Sequence, residues 1–105
     1  MRLRNIPEAK DIVSDSPYVI QEPGLWRGRW DSLWKIPRPI HLEIGMGKGR
    51  FLMEMSLRHP ETNYLGMELY DSVLLRALQK RLTMDEPLEN LYFLCTDART
   101  LTDLF

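Results

Sequence analysis

Three carboxylates and three glycines recur in the sequence at spacings that suit a ligand site. Glu43 lies near the end of the apolar run "IHLEI", Glu68 near the end of "NYLGMEL" 25 positions later, and Asp97 follows "LYFLCT" after 29 more. Gly45, Gly47 and Gly49 come directly after the first acid, in "GMGKG". Glycine permits positive φ and lets a ligand approach the main chain with no Cβ in the way. The loop does not match a Walker phosphate loop, because Lys48 is followed by Gly49 and not by serine or threonine. It misses the dinucleotide spacing G-x-G-x-x-G by one residue, since the third glycine comes early.

The acids narrow the ligand further. A carboxylate some 20 residues beyond such a loop commonly accepts hydrogen bonds from ribose hydroxyls, and Glu68 stands in that place. Asp97 could accept from an adenine amine. Glu43 discriminates: it would repel a pyrophosphate and attract a cation. The expected ligand is a nucleoside carrying positive charge. S-adenosylmethionine, with an adenosine, an ammonium and a sulfonium, fits that description. A nicotinamide dinucleotide domain is a weaker reading, opposed by Glu43 and by the glycine spacing.

Elements that alternate along the chain must hold these groups. "IHLEI", "NYLGMEL" and "LYFLCT" read as strands. "GKGRFLMEMSLRH" reads as a helix burying Phe51, Leu52 and Met55 and stopped by Pro60. "DSVLLRALQKRLTM" reads as a helix with Val73, Leu74, Ala77, Leu78 and Leu82 on one face, capped by Asp71 or Ser72. "DARTLTDLF" begins a loop or short turn. Strands alternating with helices predict an α/β fold: half of a doubly wound, Rossmann-like domain with three parallel strands in order 3-2-1 joined by crossover helices. Ligands bind such sheets at the carboxyl ends of the strands, where all three acids fall.

Two regions follow: an arm with a short helix over residues 1–39, and a partial cofactor-binding domain over 40–105. Pro7, Pro17 and Pro23 make residues 1–24 read as irregular. Trp26, Trp30 and Trp34, four apart, predict a short helix presenting one aromatic face, most simply packed on the sheet. Seven Lys/Arg against five Asp/Glu make the first 39 residues mildly basic, while seven against ten make the remainder mildly acidic. The net charge of −1 shows no global basic field for nucleic acid. No apolar stretch has the length of a membrane span, and no h-region follows the first residues. The single cysteine, Cys95, has no internal disulfide partner, which suits a reducing, cytoplasmic setting. His41 and His59 have no metal-ligand spacing with each other or with Cys95, so no metal is expected.

The combination of "MRLRNIP", "SPYVI", "HLEIGMGKGRF", "NYLGMEL" and "CTDARTLTDLF" resembles the bacterial tRNA guanine-N7 methyltransferases. The resemblance runs through nearly all of the chain. It implies S-adenosylmethionine as cofactor, with Glu43, Glu68 and Asp97 contacting it and Gly45, Gly47 and Gly49 beneath its methionine part. It implies tRNA as partner, with Arg2 and Arg4 as candidate phosphate contacts. Family members run to roughly twice this length. Their catalytic-site aspartate lies in a Ser-Asp-Pro-Trp-Pro-Lys-Lys-Arg-His stretch that would come beyond Phe105. The chain therefore reads as an N-terminal half, expected to be inactive alone. A non-catalytic cofactor-binding or association module is the alternative. With no fourth strand beside it, "IHLEI" is an apolar edge, from which self-association is expected.

Overall fold

The computed structural model describes residues 7–84 and 88–105. Arg2 and Arg4 lie outside the described residues. Three strands form one parallel sheet: β1 (Ile40–Ile44), β2 (Asn63–Glu68) and β3 (Leu91–Cys95). Their order, β1-β2-β3, is the expected 3-2-1 read from the other side. Helices α2 (Arg50–Arg58) and α3 (Asp71–Leu82) make the two crossovers. The central strand is buried throughout, as its apolar run requires.

Each face of the sheet has its own core. Leu52 and Met53 of α2, Leu74, Ala77 and Leu78 of α3, and Tyr64 and Phe93 of the sheet make one. Trp30, Trp34, Leu65, Met67, Leu94 and Leu104 make the other. Val73, Leu74, Ala77 and Leu78 are buried as the period of α3 predicts, but Leu82 is 71% exposed, one turn past the contact. The start of α3 also departs from expectation. Tyr70 occupies the N-cap position without a side-chain cap, and Asp71 and Ser72 already lie inside the helix.

Helix α2 is turned differently from the sequence reading. Leu52, Met53 and Ser56 face inward, Met55 is half-buried, and Phe51 is 56% exposed. Gly49, at φ +76°, is the N-cap of α2. Its α-carbon sits so close to Ala77 and Met53 that an added Cβ would lie 3.3 Å from each.

The arm is less irregular than the prolines suggest. It holds a helix, α1 (Ala9–Asp15), that packs against α3 through Ala9 and Val13. It then lays Val19 beside Phe93 as an isolated parallel bridge: the Phe93 amide donates to Tyr18 O, and the Ile20 amide to Phe93 O, both at 2.8 Å. The outer edge of β3 is thereby covered. The tryptophans do not share one helix. Gly28, at φ +76°, divides the segment into two 3-10 turns, Pro23–Trp26 and Trp30–Leu33. The rings still gather, with Trp30 stacked between Trp26 (6.3 Å) and Phe105 (4.8 Å). Trp30 Nε1 donates to Leu104 O at 2.7 Å and ties this segment to the last helix, α4 (Leu101–Leu104).

Candidate functional site

The glycine loop leaves β1 and crosses the end of β2. The amides of Gly45 and Met46 both donate to Met67 O, at 2.8 and 3.0 Å. Gly45, Gly47 and Gly49 all have positive φ, between 61° and 76°. A Cβ added to Gly45 or Gly47 would meet nothing within 4 Å. Their glycine identity thus answers to backbone conformation and leaves open space above the main chain.

Glu68 fastens this loop. It is only 8% exposed, and each carboxylate oxygen accepts a backbone hydrogen bond. Oε1 takes the Gly47 amide at 3.1 Å, and Oε2 takes the Tyr70 amide at 3.0 Å. A carboxylate oxygen has two lone pairs, so both oxygens keep capacity for a ligand hydroxyl.

Glu43 stands opposite Gly66 of β2 in register, two positions short of the level of Glu68. Paired and alternate residues share a sheet face, so both carboxylates rise from the same one, and Met46 and Leu52 fill the space over Gly66. Glu43 Oε2 is buried and has no hydrogen-bond partner among the described residues. Burial pushes the Glu43 carboxyl above its ordinary pKa, and His41 on the same strand opposes that shift.

Asp97 lies two residues past Cys95, which is level with Glu68. The three acids therefore climb the rim in steps of two residues, about 7 Å each. Asp97 is already engaged. Its Oδ1 caps the 3-10 turn Ala98–Thr100 by accepting the Arg99 amide at 2.9 Å, and its Oδ2 accepts from Arg99 Nε and Nη2 at 2.9 and 2.6 Å. These bonds hold the Asp97 carboxyl below its usual pKa. The Arg99 side chain is 90% exposed, so releasing Asp97 to another donor costs little, as for surface ion pairs generally.

The structure thus brings Glu43, Glu68 and the glycine loop together, with Asp97 on the next step of the rim. Sequence reasoning missed Gly66 and Arg99. A glycine inside an apolar strand signals close approach and could have been used. The Arg99 contact depends on the 3-10 turn and had no signal of its own. Cys95 is half-buried, its Sγ 3.8 Å from Leu69 O, and burial raises its thiol pKa. Among the described residues no group of three or more His, Cys, Asp or Glu could hold a metal ion. No helix among them is long and apolar enough to cross a membrane.

A parallel three-stranded sheet with crossover helices, whose first strand runs into a glycine turn, defines the N-terminal half of a Rossmann-like fold. Comparison with known proteins gives the family. The model of a family described as "Putative methyltransferase" matches residues 37–105, and the chain belongs to that family. It is 45% identical over 105 residues to the tRNA (guanine-N(7)-)-methyltransferase of Lachnoclostridium phytofermentans. It is 49% identical over 106 residues to that of Geobacillus thermodenitrificans. All of this chain is covered in both, against 48% of each relative, so it spans about half their length. Among solved structures, the antibiotic-resistance methyltransferase Kmr superposes with a TM-score of 0.50 at 20% identity, over 58% of this chain and 32% of that one. A second antibiotic-related methyltransferase gives 0.51 at 20% identity, over 65% and 34%. These two likenesses support the fold.

Proposed function

We propose that this chain is the cofactor-binding part of an S-adenosylmethionine-dependent methyltransferase acting on guanine N7 of tRNA, in the cytoplasm. One observation carries the cofactor reading: the buried oxygen of Glu43, without a partner among the described residues, two positions before a glycine turn with open space above Gly45 and Gly47. An unpaired buried acceptor costs about 1–3 kcal/mol, which an ammonium donor would recover. The sign of Glu43 excludes a phosphate from the same spot. The names of the relatives support the tRNA substrate.

Each residue then has a task. Glu43 holds the cation, Glu68 keeps the loop in place and offers its free lone pairs to ribose hydroxyls, and Asp97 accepts from the adenine amine as Arg99 swings out. The bound cofactor supplies an activated methyl on a sulfonium. Guanine N7 carries a lone pair and has no proton to lose, so the protein's work is to orient and to exclude water. Arg2 and Arg4 would contact tRNA phosphates.

Calorimetric titration of the chain should show saturable binding of S-adenosylmethionine and none of NAD. Saturation by NAD alone would overturn the cofactor assignment. An assay for N7-methylguanosine in tRNA then separates an enzyme from a non-catalytic module.

The two sheet edges differ in a way that bears on assembly. Arm residues cover β3, whereas the far side of β1 pairs with no described strand, and Ile44 is 47% exposed there. An open apolar edge of this kind recruits another strand. Light scattering on the 105-residue chain should therefore report a mass above the monomer's 12.4 kDa. A monodisperse monomer at high concentration would count against this.

A further inference from the structure

Four buried side-chain atoms lack a partner among the described residues, and they sort by sign and by place. The one acceptor is Glu43 Oε2, at the rim already described. The three donors are Trp34 Nε1, Arg81 Nε and Arg81 Nη1. Both of their side chains line a cleft of about 480 Å³. Its walls include Tyr18 from the arm, Lys35 and Arg38 from the segment before β1, and Tyr92 near the start of β3. Arg38 precedes β1, Glu89 precedes β3 and Arg81 is in the last turn of α3, so the cleft lies at the amino ends of the strands. It shares no residue with the acidic rim at their carboxyl ends.

The charges in the cleft are unbalanced. Arg81 donates through Nη2 to Leu88 O at 2.7 Å and lies 3.9 Å from the centre of the Tyr18 ring. Neither partner is an anion. Arg38 donates to the amide oxygen of Asn63 at 3.3 Å. Among the described residues, no carboxylate lies within ion-pair distance of Lys35, Arg38 or Arg81. Glu89 is the one acid among the described residues of the wall. A ligand that complements this set must bring several acceptors and negative charge. Tyr92 is half-buried and gives the cleft one aromatic wall, with the buried Trp34 behind it, edge to face at 5.8 Å. Bases stack on such surfaces whatever their sequence.

We propose that this cleft binds a nucleotide unit, its phosphate among Arg81, Lys35 and Arg38 and its base against the Tyr92 ring. A phosphate offers enough peripheral oxygens to meet several donors at once, and guanidinium forks suit it. The volume is that of a small-ligand pocket and exceeds what a bare anion would fill. The unit is either a free mononucleotide or one residue of an RNA strand. Both present the same phosphate and ring.

Calorimetry on the 105-residue chain tests this with four probes: guanosine 5′-monophosphate, guanosine, inorganic phosphate and a short single-stranded oligoribonucleotide. Saturable binding of the monophosphate is expected, with guanosine and phosphate each weaker by about tenfold or more. Tighter binding of the oligonucleotide than of the monophosphate would assign the site to RNA. The reverse would assign it to the free nucleotide. Lys35 is exposed, so Lys35→Glu should leave the fold intact. It should weaken nucleotide binding by about tenfold, Lys35→Arg should restore it, and S-adenosylmethionine binding should not change. The proposal is overturned if neither phosphate-bearing ligand saturates at millimolar concentration, if phosphate alone binds as tightly as the nucleotide, or if Lys35→Glu leaves the affinity unchanged.

Discussion

Glu43→Gln is expected to weaken S-adenosylmethionine binding by about ten- to a hundredfold, from the loss of one charge-assisted contact. The same change should not destabilise the chain. Burial pushes the Glu43 carboxyl above its ordinary pKa. The folded state therefore binds that proton more tightly than the unfolded state. As pH rises from the ordinary carboxylate pKa through the raised one, the folded chain holds more protons than the unfolded chain, and stability falls. Glutamine removes this penalty along with the charge. Thermal melts across the acidic range should show wild type losing stability relative to Glu43→Gln as pH rises. A residue kept for packing alone would behave differently, with affinity and stability falling together. An unchanged dissociation constant, or a variant that melts well below wild type at neutral pH, would remove Glu43 from the site.

How much of this was legible in the sequence depends on what each element uses to hold its shape. The strands were readable because their apolar runs are bounded by glycine, proline and acids, and the register then aligns Ile44 with Met67 and Met67 with Leu94. The glycine loop was readable because positive φ leaves glycine as the residue of choice. The tryptophan segment misled because a four-residue spacing looks helical whether or not a glycine between the rings adopts φ +76°. Its rings assemble through tertiary contacts with Phe105 and Leu104 instead. Helix α1 was hidden for a related reason. It has seven residues, too few to persist alone, and it exists by packing Ala9 and Val13 against the body. Periodicity predicted that α2 has a buried face, but which residues form it is settled by packing on the sheet, where Leu52 and Met53 meet Tyr64 and Phe93. At the site, the identities of the acids were readable. Their hydrogen bonds were not, because Glu68 is satisfied by amides of two separate loops and Asp97 by a side chain two residues on.

Gly66→Val is expected to cost about 3 kcal/mol, the upper end for overpacking, and to lower the melting temperature by roughly 15 °C. Gly66 is in the middle of β2, where valine has the better strand propensity, but that preference is worth less than about 1 kcal/mol. Space decides against it. A Cβ at Gly66 would overlap Met46 Sδ and Leu52 Cδ2 together, with Phe93 Cδ1 at 3.4 Å behind them. Leu52 and Phe93 are fully buried and have no room to yield. Met46 is in the glycine loop, its amide bonded to Met67 O. The easiest relief is to push Met46 outward, and that moves Gly45 and Gly47 with it. The strand glycine is thus where loop and helix clamp onto the sheet, beside its cross-strand partner Glu43. Cofactor affinity should fall in the surviving folded fraction as well, although no atom of Gly66 is assigned to the ligand. A variant that melts at or above the wild-type temperature would show that Met46 and Leu52 can repack freely, and the loop would then owe its position to Glu68 alone.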